Sequence, residues 1–211
     1  MNDGAWQADA VTTTAERLLV RPARAEDDAA LLAVDGASWS STSGFPSLQG
    51  ETRTSFFDDH NTPDLHLVAE SDSSVAGYVR ITTMVPFPEG AHVLGIYGFA
   101  VVPAARGQGV GSALLVAAQE YARRRGARKL SLRVFGTNTT ARRLYERHGF
   151  VVEGVLRAAF LIDGEYVDDV WMSKFLVPVE ADTAGTADTT ETTETGPAAP
   201  GVTPAKARSS S

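Results

Sequence analysis

The run Arg106-Gly-Gln-Gly-Val-Gly-Ser112 constrains this chain more than any other segment. It follows a strand-like stretch, 92–102, through Pro103-Ala-Ala. It leads straight into a helical stripe of Val110, Leu114, Ala117, Ala118 and Tyr121. Glycines in a strand-to-helix turn let backbone N–H groups converge without Cβ clashes, and the helix N-terminus adds partial positive charge. Such a turn suits a phosphate or pyrophosphate. A nucleoside triphosphate loop would need Gly-x-x-x-x-Gly-Lys-Ser/Thr, and no lysine is near. A dinucleotide fold needs Gly-x-Gly-x-x-Gly after its first strand, with an acid about 20 residues on. Here the spacing is Gly-x-Gly-x-Gly, several strands into the chain, and residues 130–134 are Leu-Ser-Leu-Arg-Val. Taken alone, the turn also fits a bland role in which glycine only lets the helix pack.

The segments around the turn set the fold class. Strands are expected at 17–21, 65–70, 75–84, 92–102, 129–134, 150–156 and 166–175, the last two joined by a turn at Asp163–Gly164. Helices are expected at 26–37, 50–60, 110–125 and 140–148. The third ends in three arginines and Gly126, and the fourth at Gly149. A three-strand meander followed by two strand–helix units gives an α/β (α+β) fold, with a mixed, mostly antiparallel central sheet of about seven strands flanked by helices.

Composition narrows the function classes. The chain has 211 residues and no cysteine, so disulfides, thiolate metal sites and a cysteine nucleophile are excluded. The net charge of −7 is uneven: about −3 on residues 1–16, −3 on 178–211 and −1 between them. A near-neutral folded part does not ask for nucleic acid. No apolar run approaches the ~20 residues of a membrane helix, and the N-terminus lacks a secretory pattern. A cytoplasmic protein is therefore expected. Residues 178–211 are Thr, Ala, Pro, Gly and acid, and are expected to be a disordered tail; 1–16 are expected to be a similar extension, with Trp6 as a residue that could dock. The domain is thus placed at 17–177.

Further motifs sharpen the turn. Arg106-x-x-Gly109-x-Gly111 is followed by Leu-Arg-Val, then Asn138, Ala141, Leu144-Tyr145-Glu146 and His148-Gly149-Phe150, in that order. Over roughly 17–176 the chain resembles the GCN5-related N-acetyltransferases (GNAT). The resemblance implies acetyl-CoA as acyl donor, no metal, and a strand that splays from its neighbour at a bulge before the glycine turn. It places the backbone of Phe99 and Val101 beside the acyl chain. The amides of Arg106, Gly107, Gln108, Gly109, Val110, Gly111 and Ser112 are placed on the pyrophosphate, and Asn138 on the coenzyme. Tyr145 is implied as the acid that protonates the departing thiolate. Asn138 and Tyr145 are seven residues apart, close to two helical turns, and share one face. Asn138 as a helix cap and Tyr145 as a core aromatic are the bland alternatives. Arg123–Arg125, Arg142 and Arg143 are candidates for the coenzyme 3′-phosphate, against a plain helix-end role.

One departure bears on mechanism. Many family members carry a glutamate on the strand before the turn, yet no Asp or Glu lies between Val93 and Gln119. His92 is the candidate base, with Glu51 and Asp58 as alternatives. A missing carboxylate tilts the acceptor toward an α-amine, which at pKa ~7.7–8.0 needs little help to deprotonate. Trp39, Phe45 and Tyr97 are the candidate acceptor-pocket residues, with Phe160 and Asp168 or Asp169 nearby candidates. The closing segment, 152–174, resembles the branch that holds ribosomal-protein, polyamine and small-amine acetyltransferases. The acceptor is left open among a protein or peptide N-terminus, an amino acid and another small-molecule amine, and a homodimer is compatible. The competing class is a non-catalytic acyl-CoA-binding sensor module.

Overall fold

The computed structural model describes residues 18–40, 42–46 and 53–177. Trp6, Glu51 and the expected tail lie outside them. Seven strands form one sheet: β1 (Leu19–Pro22), β2 (His66–Ser71), β3 (Ser74–Thr83), β4 (Val93–Val101), β5 (Lys129–Phe135), β6 (Val151–Ile162) and β7 (Glu165–Phe175). Their order is β1-β2-β3-β4-β5-β7-β6. Only β4 and β5 run parallel; every other neighbouring pair is antiparallel. Among the described residues there are three α-helices: α1 (Asp28–Ser38), α2 (Val110–Arg124) and α3 (Thr139–Arg147).

Strand alternation sends side chains to two faces. Leu67, Ala69 and Val79 meet Leu114, Leu115 and Ala118 of α2 in one core, which also takes Tyr145 and Phe150. Val68, Tyr78 and Ala100 point the other way, onto Leu31 and Val34 of α1. The sheet therefore separates an α2–α3 face from an α1 face. Leu114 and Leu31 are fully buried, so truncating either to alanine costs about 2–5 kcal/mol. Arg21 ties the α1 entry to the sheet through ion pairs to Asp27 at 2.7 Å and Glu70 at 2.5 Å.

Two expectations change. Residues 53–60 are not helical: the carboxylate of Asp28 accepts the N–H groups of Phe56 and Phe57 at 3.0 and 2.9 Å, so their backbone is spent on docking to α1. Residues 50–52 lie outside the described residues. β6 runs on to Ile162 rather than stopping at 156, because Phe160, Leu161 and Ile162 rejoin β7 after a bulge. In that bulge Ala158 takes φ +50° and donates its N–H to Asp168 Oδ1 at 2.8 Å.

Candidate active site

The parallel pair β4–β5 pairs only from Val93↔Lys129 to Ile96↔Leu132, although β4 continues to Val101 and β5 to Phe135. The cause lies on the other edge of β4. Arg80 pairs with Gly98 and Ile81 with Ile96, so Tyr97 is an extra residue that bends the strand. Beyond it the two strands diverge. Val102 donates its N–H to Ala76 O at 2.9 Å, so strand alternation turns the backbone of Val101 and Phe99 toward the opening.

The glycine turn lies at the open end of this gap. Gly107 and Gly109 have φ of +77° and +88°, and a Cβ at either would meet nothing within 4 Å. They supply left-handed turns that a ligand can approach closely. The N–H groups from Gly107 through Ser112 find no acceptor among the described residues; the first helical bond here is Ala113 N–H to Gly109 O at 2.9 Å. Open amides at a helix start form an anion cradle. Arg106 does something else. Its N–H donates to Pro103 O, and its guanidinium donates to Val101 O at 3.1 Å and Ser38 O at 3.0 Å. It braces the turn against β4 and α1, and its amide is not free for a phosphate.

Tyr145 is 6% exposed and its ring packs edge-on to Phe99, with centroids 5.9 Å apart. Burial pushes its hydroxyl well above the ordinary phenol range. Gly111 lets α2 and α3 close on each other, for a Cβ there would sit 3.1 Å from Leu144 Cδ2. Asn138 caps α3, its side-chain oxygen accepting the Ala141 N–H at 3.1 Å. Capping uses the oxygen and leaves the amide nitrogen available, so the two expected roles are compatible.

A cavity of about 1060 Å³ joins this gap to the α1 face, and it is lined by Tyr145, Asn138 and Phe99 as well as Trp39, Phe45 and Tyr97. Phe45 stacks edge-on against Phe135 and Phe160, at 5.2 and 5.0 Å. Trp39 donates Nε1–H to Asp35 Oδ1 at 2.5 Å. Asp35 also accepts the Tyr78 hydroxyl at 2.5 Å and pairs with Arg53. Across the cavity Asp169, 1% exposed, accepts Arg133 Nε–H at 2.7 Å and Trp171 Nε1–H at 3.1 Å.

A model of the acetyltransferase (GNAT) family matches residues 33–150, more than half of the chain. The chain belongs to the GNAT acetyltransferase family. A mycothiol acetyltransferase of Acidimicrobium ferrooxidans is 37% identical over 134 residues, which is 61% of this chain and 41% of that protein. The chain thus aligns with under half the length of that relative. A putative [ribosomal protein bS18]-alanine N-acetyltransferase of Bacillus subtilis is 30% identical over 124 residues, 58% of this chain and 78% of that protein. The solved structure of a GCN5-related N-acetyltransferase from Kribbella flavida superposes with a TM-score of 0.60 at 29% identity, covering 75% of this chain and 97% of that one.

Within this GNAT fold, some expected residues do not meet. His92 precedes β4 at the end away from the glycine turn, is exposed, and does not line the cavity; its carbonyl accepts from Arg128 and Lys129. Arg123–Arg125 lie at the C-terminal end of α2, remote from the cradle. Arg123 bonds Leu176 O, Arg124 pairs with Glu120 and Arg125 stacks over Tyr121. Asp168 is held in the β6 bulge.

Sequence reasoning missed Asp35, His66, Tyr78 and Arg80, all of which line the cavity. Each sits in an ordinary helical or strand pattern, and only the fold brings them together. His66 is 1% exposed, with Nδ1–H donated to Thr62 O at 2.9 Å and Nε2 buried without a partner among the described residues. Burial, reinforced by nearby Arg80, pushes its imidazole down to about 4, so it is neutral at pH 7.

Proposed function

We propose that this chain transfers an acetyl group from acetyl-CoA to a primary amine by direct attack in a ternary complex. The observation that supports the reading is the convergence of three things around Phe99: diverging β4 and β5, six amides at the start of α2 with no acceptor among the described residues, and Tyr145, whose ring packs on Phe99. The residues fit the coenzyme. The open amides from Gly107 through Ser112 would hold its pyrophosphate, and the turned-out backbone of Phe99 and Val101 would hold the pantetheine and acyl carbonyl. Acetyl-CoA supplies the activated acyl group.

The neutral amine nitrogen attacks the carbonyl carbon, and the C–S bond breaks. Tyr145 gives its proton to the sulfur, and the new amide nitrogen loses its proton to water in the cavity. A buried phenol is a weaker acid, but a thiolate leaving into the same dry environment is a stronger base, so the transfer stays matched. With no carboxylate on β4 inside the gap, an acceptor that is substantially neutral near pH 7.5 fits best, which favours an α-amine.

Calorimetric titration tests the donor site. Acetyl-CoA should bind saturably while NADPH and ATP do not, and Gly109→Trp, which fills the open cradle, should abolish binding while the protein stays folded. Equal binding in that variant, or preference for either nucleotide, would remove the reading.

A further inference from the structure

We infer that the acceptor carries a carboxylate beside its amine and that Arg80 receives it, an inference that rests on the acetyl-transfer reading of the same cavity. Three guanidinium groups line that cavity. Arg53 is paired with Asp35, and Arg133 is paired with Asp169 and stacked over Trp171. Arg80 forms no ion pair with any described carboxylate. It donates one Nη2–H to His60 O at 2.9 Å, and its Nε is buried with no partner among the described residues. Asp58, the remaining carboxylate of the lining, is turned to the His60 N–H at 2.7 Å; it feels the Arg80 charge but makes no contact ion pair with it. Unlike Nε, its Nη groups are accessible, and with a single hydrogen bond and no contact ion pair they keep donors free for an anion.

The position fits. Arg80 lies opposite Gly98 in the β3–β4 register, and its Cβ is 3.3 Å from where a Gly98 Cβ would be. Gly98 immediately precedes Phe99, where the acyl chain is placed, and lies on the α1 face of the sheet. An anion at Arg80 is thus on the acceptor side and well separated from the pyrophosphate cradle. A planar guanidinium takes a carboxylate in fork geometry. The apolar walls Trp39, Phe56 and Tyr97 leave room for the acceptor's side chain. The chemistry that satisfies all of this is a free α-amino acid. A peptide N-terminus has its first carboxyl tied up as an amide.

The test compares the common α-amino acids with their carboxamides, as two pools incubated with acetyl-CoA and read by mass spectrometry of the N-acetyl products. Acids should be acetylated and neutral amides at least about tenfold less. In Arg80→Gln the KM for acids should rise at least about tenfold with a smaller change in kcat, and Arg80→Lys should recover part of the loss. Acetyl-CoA affinity in each variant reports the fold; if it is lost, the acid-to-amide ratio of the unaltered protein decides alone. Amide activity confined to aspartyl and glutamyl amides would support the inference and move the carboxylate to the side chain. Equal use of the two pools, transfer only to peptide N-termini, or no transfer to either pool by a protein that binds acetyl-CoA would overturn it. Failure to bind acetyl-CoA would instead sink the acetyl-transfer reading.

Discussion

At the scale of single residues, two buried groups make sharp predictions. The Tyr145 hydroxyl makes no hydrogen bond among the described residues, and its ring packs on Phe99 and Phe150. Tyr145→Phe should therefore keep acetyl-CoA affinity within about twofold and lower kcat by about 10²-fold, the low end for loss of a general acid. Free-thiol release kinetics check this, and full activity would remove the acid assignment. His66 gives a pH signature. Its folded-state value near 4 lies below the unfolded value of 6.5, so the unfolded chain binds the proton first as pH falls. Its contribution is absent above about pH 6.5 and erodes stability between 6.5 and 4, by up to about 3 kcal/mol. Denaturant midpoints measured across that window should fall as pH drops for the native chain, and fall less for His66→Gln.

Among secondary-structure elements, the gap depends on how β3 steers β4. Gly77 lies against Val101, and a Cβ there would be 2.5 Å from the Ala100 carbonyl oxygen. Gly77→Ala should push β4 out of register at the gap, costing about 1–3 kcal/mol, seen as a Tm fall of roughly 2–10 °C, with weakened acetyl-CoA binding. Much of this level was legible in the sequence. Strand-like runs bounded by turn residues located all seven strands, though not the full length of β6, and the glycine turn with its helix stood out because φ above zero and open amides demand glycine. The 53–60 segment was not legible, because the amides of Phe56 and Phe57 are claimed by Asp28, a partner 28 and 29 residues away. His92 looked eligible by residue type alone, and the length of β4 carries it away from the cavity.

For the whole molecule, the sheet divides the work. In the proposed reading α2 and α3 would build the coenzyme face, α1 and β3 the acceptor face, and the gap between β4 and β5 would be the passage between them. The acceptor face was the least legible part. Asp35, His66, Tyr78 and Arg80 come from three elements and carry no motif, so only long-range packing assembles them. The donor face was legible because one short loop holds nearly all of it. The central claim is that acetyl-CoA occupies this passage, and hydrogen exchange read amide by amide tests it most directly. Saturating acetyl-CoA should slow exchange at Phe99, Val101 and Gly107 through Ser112, while amides at the His92 end of β4 stay unchanged. Protection elsewhere, or none at these amides despite saturable binding, would contradict the account.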